Sequence, residues 1–95
     1  MNWKSTGGRK LIRAILSLGT SDEAERFLRD LMTEKEIVEF SKRLWAAEML
    51  REKINYSAIE EETGLSSTTV ARVSKWLKGK EGGYRLVLNK IHPAT

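Results

Sequence analysis

From Leu11 to Ile91 the apolar residues recur at intervals of three and four, and nowhere do they alternate over the length of a strand. A period near 3.6 lines such residues along one face of a helix, whereas a half-buried strand needs a period of two. The chain is therefore expected to be all-α. Helix starts carry their own chemistry. Thr20 with Glu23, Thr33 with Glu36 and Ser57 with Glu60 have capping-box spacing: a hydroxyl takes one orphan N–H and a carboxylate returns to the N–H of the cap. With the apolar runs behind them, these signals predict helices near residues 8–18, 22–31, 34–52, 57–63, 67–78 and 81–91. Pro93, the only proline, ends the last of them. Residues 1–8, MNWKSTGG, have little periodicity and two glycines, so they are expected to form a flexible N-terminal arm ahead of a helical domain over 9–92.

Ninety-five residues make one domain at most, near the size at which a single core becomes marginal. The third segment carries two apolar rows, Ile37, Phe40, Leu44 and Ala47 on one and Val38, Trp45 and Met49 on the other. That stripe is wider than one core needs. The two helices before it, with Leu11, Ile15 and Leu18 and then Phe27, Leu28 and Leu31, are too short to close a core of their own. A homodimer with interlocked N-terminal helices gives this surface a place. A monomer whose short helices wrap both sides of the third is the other solution, and the sequence leaves it open.

Seventeen Lys and Arg against thirteen Asp and Glu give a net charge of +4, which suits an anionic partner without demanding one. The absence of Cys excludes disulfides, Cys-ligated zinc and thiol catalysis, and the single histidine, His92, reads as an incidental surface residue beside Pro93. There is no Gly-rich phosphate loop, and Glu60, Glu61 and Glu62 fall on differing faces of their helix, so no acid–base pair is assembled. No enzyme, metal or cofactor is expected. The run LIRAILSL is broken by Arg13 and lacks a small-residue cleavage site, so it reads as neither signal peptide nor membrane span. A cytoplasmic protein is expected.

Residues 62–80, ETGLSSTTVARVSKWLKGK, carry the functional signal. Gly64 stops a short helix that points Ile59 inward, Leu65 anchors the turn, and a second helix opens on hydroxyl residues. This is a helix-turn-helix over 57–78, in which the second helix lies in the DNA major groove. Val70, Val73 and Leu77 share one face of it, and Thr68, Arg72 and Lys75 lie opposite. Small hydroxyls at a helix start allow close approach to DNA, and Thr, Arg and Lys side chains reach base edges and phosphates.

LMTEKEIVEFSKRLWAAEML followed by YSAIEEETGLSSTTVARVSKWL resembles the Trp-repressor-like family, most closely its small bacterial YerC/YecD branch, over residues 10–91. The resemblance implies an intertwined all-α dimer whose two reading heads bind successive major grooves of a near-palindromic double-stranded operator. It places DNA-facing positions on Ser66, Ser67, Thr68, Thr69, Ala71 and Lys78; the helix-face reading adds Arg72 and Lys75. In the Trp repressor two arginines and a threonine help hold tryptophan, and those positions match Arg43, Arg72 and Thr33. Where the Trp repressor keeps a glycine and a serine, this chain has Val73 and Trp76, so free tryptophan is not expected to act as its co-repressor. Trp76 is instead expected to fill the pocket itself, as a buried plug. Arg72 keeps two readings, pocket residue and groove residue. Glu60 departs from the small residue that helix-turn-helix motifs prefer four places before the glycine. A helical adaptor that docks on the transcription machinery without specific DNA binding would want the same basic face, and stays as the alternative.

Overall fold

The computed structural model describes residues 1–93. Six helices, and no strand, occur among them: α1 Thr6–Leu16, α2 Ser21–Leu31, α3 Glu34–Arg51, α4 Tyr56–Thr63, α5 Ser67–Lys78 and α6 Gly83–Ile91. The all-α expectation holds. None of these helices is long and apolar enough to cross a membrane.

The helix starts differ from the sequence reading in instructive ways. The first helix begins at Thr6, inside the stretch expected as an arm, because Ser5 caps it by accepting the Gly8 N–H at 3.1 Å. A β-carbon at Gly8 would stand 2.9 Å from the Trp3 carbonyl oxygen, so only glycine lets the N-terminal turn fold back on the helix. One capping box is complete: Thr33 N–H and Oγ1–H both donate to Glu36 Oε1 at 3.0 Å, and Thr33 Oγ1 accepts the Glu36 N–H at 3.1 Å. Thr20 accepts the Glu23 N–H, but Glu23 returns to the N–H of Gly19, one residue before the cap. The third box does not form. Asn55, not Ser57, caps α4, with extended backbone at φ −71° and ψ 156° and its Oδ1 accepting the Ala58 N–H at 2.8 Å. Asn and Ser cap equally well, and Ser57 is already helical here. The last helix starts at Gly83, two residues late, because Gly82 takes φ 69°.

The chain forms two compact units, Met1–Ile37 and a second beginning at Val38. In the first, Gly8 is the only buried residue, and Ile12, Ile15, Leu16, Leu28 and Leu31 are all exposed. Each of α1 and α2 thus has an apolar stripe without a core behind it. The second unit has the core: Ala46, Ala47 and Met49 of α3, Ile59 of α4, Leu65 of the turn, Val70 and Val73 of α5, and Leu88 of α6. Ile59, Val70, Val73 and Leu88 are wholly buried, each contributing about 1.5–3 kcal/mol of transfer free energy. Helix α4 packs on α5, and α5 on α6. Of the two apolar rows on α3, only Ala47 and Met49 are buried; Val38, Phe40, Leu44 and Trp45 remain exposed.

The end of α6 is fastened to α3. Arg51 Nη2 donates to Asn89 Oδ1 and to the His92 carbonyl, both at 3.0 Å, and the His92 ring contacts the Glu48 carboxylate. His92 is therefore a packing contact between α3 and the end of α6, not the incidental residue that its position suggested.

Candidate nucleic-acid interface

The turn between α4 and α5 is built from three backbone requirements. Thr63 ends α4 buried, its hydroxyl donating to the Ile59 carbonyl at 2.7 Å and accepting the Leu65 N–H at 3.2 Å. Gly64 takes φ 76° and ψ 7°, a left-handed conformation that would strain any β-carbon, and its N–H closes on the Glu60 carbonyl. Ser66 then returns to extended backbone at φ −70° and ψ 158°, and its Oγ accepts the Thr69 N–H at 3.2 Å. Leu65, 6% exposed, pins the turn to the core. The opening of α5 is thereby fixed in direction by the core, which a reading helix requires.

Helix α5 divides cleanly by face. Val70, Val73 and Ser74 are buried and Leu77 half-buried, while Ser66, Ser67, Thr68, Ala71, Arg72, Lys75 and Lys78 are exposed. Thr68, Ala71, Lys75 and Lys78 follow one another at steps of three, four and three, and Arg72 lies four residues from Thr68 and three from Lys75, so the five form one outward row. Thr69 is the exception among the expected contact residues: it is half-buried, and its hydroxyl hydrogen-bonds Ser66 Oγ at 3.1 Å. Ser66 and Thr69 thus use their oxygens first to build the helix start. No acid occurs between Glu62 and Glu81, so α5 itself contributes only positive charge to its outward row.

One residue that the sequence reading missed joins this surface. Lys42, half-buried on α3, places its Nζ 3.8 Å from where a β-carbon at Gly64 would stand. Its ammonium therefore flanks the helix-turn-helix corner. Sequence distance conceals it, because only the fold brings the Lys42 side chain to residue 64.

The expected effector-pocket residues are not all gathered. Arg43 and Trp76 meet: the Arg43 guanidinium carbon is 5.6 Å from the indole centroid and 5.3 Å from the Phe40 ring. Its Nε is buried without a hydrogen-bond partner, with the Glu39 carboxylate 3.6 Å away. Tyr84 lies near this group; burial raises its phenol above the ordinary value, and the Arg43 charge opposes that rise. Val73, by contrast, is fully buried in the core and lines no open space. Arg72 is exposed in the row with Thr68, which favours its groove reading. Thr33 belongs to the first unit, where Glu36 takes its N–H and hydroxyl. The buried plug is also corrected: Trp76 is 46% exposed, covering Arg43 with one face instead of filling a cavity. A side chain leaving a helix beside Arg43 gains a cation–π contact without entering the core.

Comparison with known proteins bears on this geometry. A family model for the Trp repressor protein matches residues 7–92. The chain is 40% identical over 82 residues to YerC, an uncharacterized protein of Bacillus subtilis (strain 168), covering 86% of this chain and 79% of that one. Among solved structures it is similar to a TrpR-like protein from Eubacterium eligens ATCC 27750, with TM-score 0.89 and 38% identity over 98% of this chain and 96% of that one. A candidate Trp repressor from Staphylococcus aureus gives TM-score 0.90 and 32% identity, over 100% and 98% of the two chains.

Proposed function

Because the chain belongs to the Trp repressor family, a family of DNA-binding regulators, we propose that it is a transcriptional regulator, a repressor, that binds a specific double-stranded operator. The observation that carries this reading is the outward row of α5, Thr68, Ala71, Arg72, Lys75 and Lys78, held in one direction by the buried Val70 and Val73. Thr68 and Ala71, near the helix start, meet base edges. Arg72 and Lys75 reach bases or phosphates, and Lys78, at the far end, meets phosphate only. Ser66, Ser67 and the free N–H groups of the first turn offer a phosphate seat, with Lys42 beside the corner.

The operating form is a homodimer. What supports this is the distribution of apolar surface: every core residue lies between Ala46 and Leu88, while Ile12, Ile15, Leu16, Leu28 and Leu31 of α1 and α2 are exposed. Interlocking those helices with a second copy removes that surface from water, and the two-fold axis then sets a pseudo-palindromic operator with half-sites about one helical turn apart. Free tryptophan is not the co-repressor, because Arg43 already has an indole, that of Trp76, against it. Selection of bound duplexes from a random pool tests the operator reading.

A further inference from the structure

An open cleft of about 440 Å³ lies in the second unit, lined by Arg51 of α3, Leu77 and Lys78 of α5, and Arg85 and Asn89 of α6. Three of its five lining residues are cationic and none is acidic. Two of those cations are already positioned by the fold. Arg85 donates to the Leu77 and Gly79 carbonyls, closing the C-terminal end of α5, and Arg51 holds Asn89 and the His92 carbonyl. A guanidinium has five N–H donors, so each keeps several unspent. The Lys78 ammonium has no partner among the described residues. The cleft thus presents three cations with no acid among its lining residues, and two of them are held in place by their hydrogen bonds to the ends of α5 and α6. An anion there takes charge-assisted hydrogen bonds from donors already in place.

We propose that this cleft is a binding site for a phosphate ester. Its oxyanion takes hydrogen bonds from Arg51, Lys78 and Arg85, and its apolar body rests on Leu77. The volume falls in the range of small-molecule sites, larger than a bare inorganic ion fills. Arg85 ties the site to the end of α5, so an occupant there braces the C-terminal end of the helix proposed above to read DNA.

Calorimetric titration of the full chain with phenyl phosphate, against sodium chloride at equal ionic strength, tests the proposal without DNA and so independently of the operator reading. Saturable binding that chloride does not reproduce is the expected result. Asn89→Asp keeps the acceptor for Arg51, and hence the helix contact, but puts a carboxylate into the cleft; affinity should fall about tenfold or more. Lys35→Gln on the first turn of α3 makes the same change in net charge at a residue that does not line the cleft and should titrate as the wild type. Equal responses to phenyl phosphate and chloride, or equal losses in the two variants, overturn the site. Repeating the titration on DNA-saturated protein identifies the source of the phosphate. Competitive displacement by duplex assigns the cleft to the nucleic-acid backbone, and undiminished binding assigns it to a free phosphate ester.

Discussion

The Arg43 guanidinium is 5.6 Å from the centroid of the Trp76 indole, so α3 and α5 are joined by a cation–π contact at the edge of the core. With the indole 46% exposed, Trp76→Ala should lower stability by about 1–2 kcal/mol, the range of a partly desolvated cation–π pair. Urea unfolding measures it. A loss near the 3–5 kcal/mol typical of about complete burial of a large aromatic would restore the plug. Titration with free tryptophan should give no saturable heat.

Why one part of this was legible and another was not follows from the kind of constraint involved. The faces of α5 came through because Val70 and Val73 are spaced by helix geometry alone, and Gly64 because only glycine is at ease at φ 76°. The Asn55 cap was hidden because Ser57 with Glu60 satisfies the same local rule, and only the path of the chain leaving α3 selects between them. Lys42 beside Gly64 was hidden for another reason; Arg43 and Trp76 were expected at one pocket from the family resemblance, and only the cation–π form of their contact was not. A helical wheel gives directions, while these contacts depend on how far a long side chain reaches across to another helix.

Dimerisation should depend on the apolar stripe of α1. Ile15 is 47% exposed, and Ile15→Glu places a charge where a second copy is proposed to pack. Sedimentation should show the wild type at twice the 10.8 kDa chain mass and the variant shifted toward the single chain. A wild type that sediments at the mass of one chain would remove the homodimer and leave the wrapped monomer.

Lys53 occupies the left-handed region at φ 62°, where α3 ends with the Ile54 N–H on the Met49 carbonyl. A β-carbon is strained there and glycine is not. Lys53→Gly should therefore raise stability by about 0.5–1 kcal/mol, against the usual direction for a glycine substitution. A fall in the unfolding midpoint would show that the lysine side chain contributes more than its backbone costs.

The capping box at the start of α3 should titrate. The Thr33 N–H and then its hydroxyl hold the Glu36 carboxyl below its ordinary value of 4.5. A depressed carboxyl pKa means that its stabilisation is present above the unfolded value and is lost as pH falls through the folded one. Helix α3 should thus loosen at its N-terminus below about pH 4.5, and Glu36→Gln should abolish that dependence. In Thr33→Ala the Glu36 midpoint, followed by NMR, should rise only partway, because the backbone donor remains. An unmoved midpoint would contradict the hydroxyl contribution.

Whether the outward row of α5 reads sequence is tested most directly by selection from a random duplex pool with purified protein. The expected result is one enriched pseudo-palindrome with half-sites about one helical turn apart. Thr68→Ala should relax preference within each half-site, Thr69→Ala less so because that hydroxyl is bound to Ser66, and Lys78→Ala should weaken all sequences alike. Affinity for the enriched site should fall steeply with salt as phosphate counterions are released. A pool that yields no enriched motif, with equal low-salt binding to every duplex, would contradict the account and leave the basic face to a protein partner.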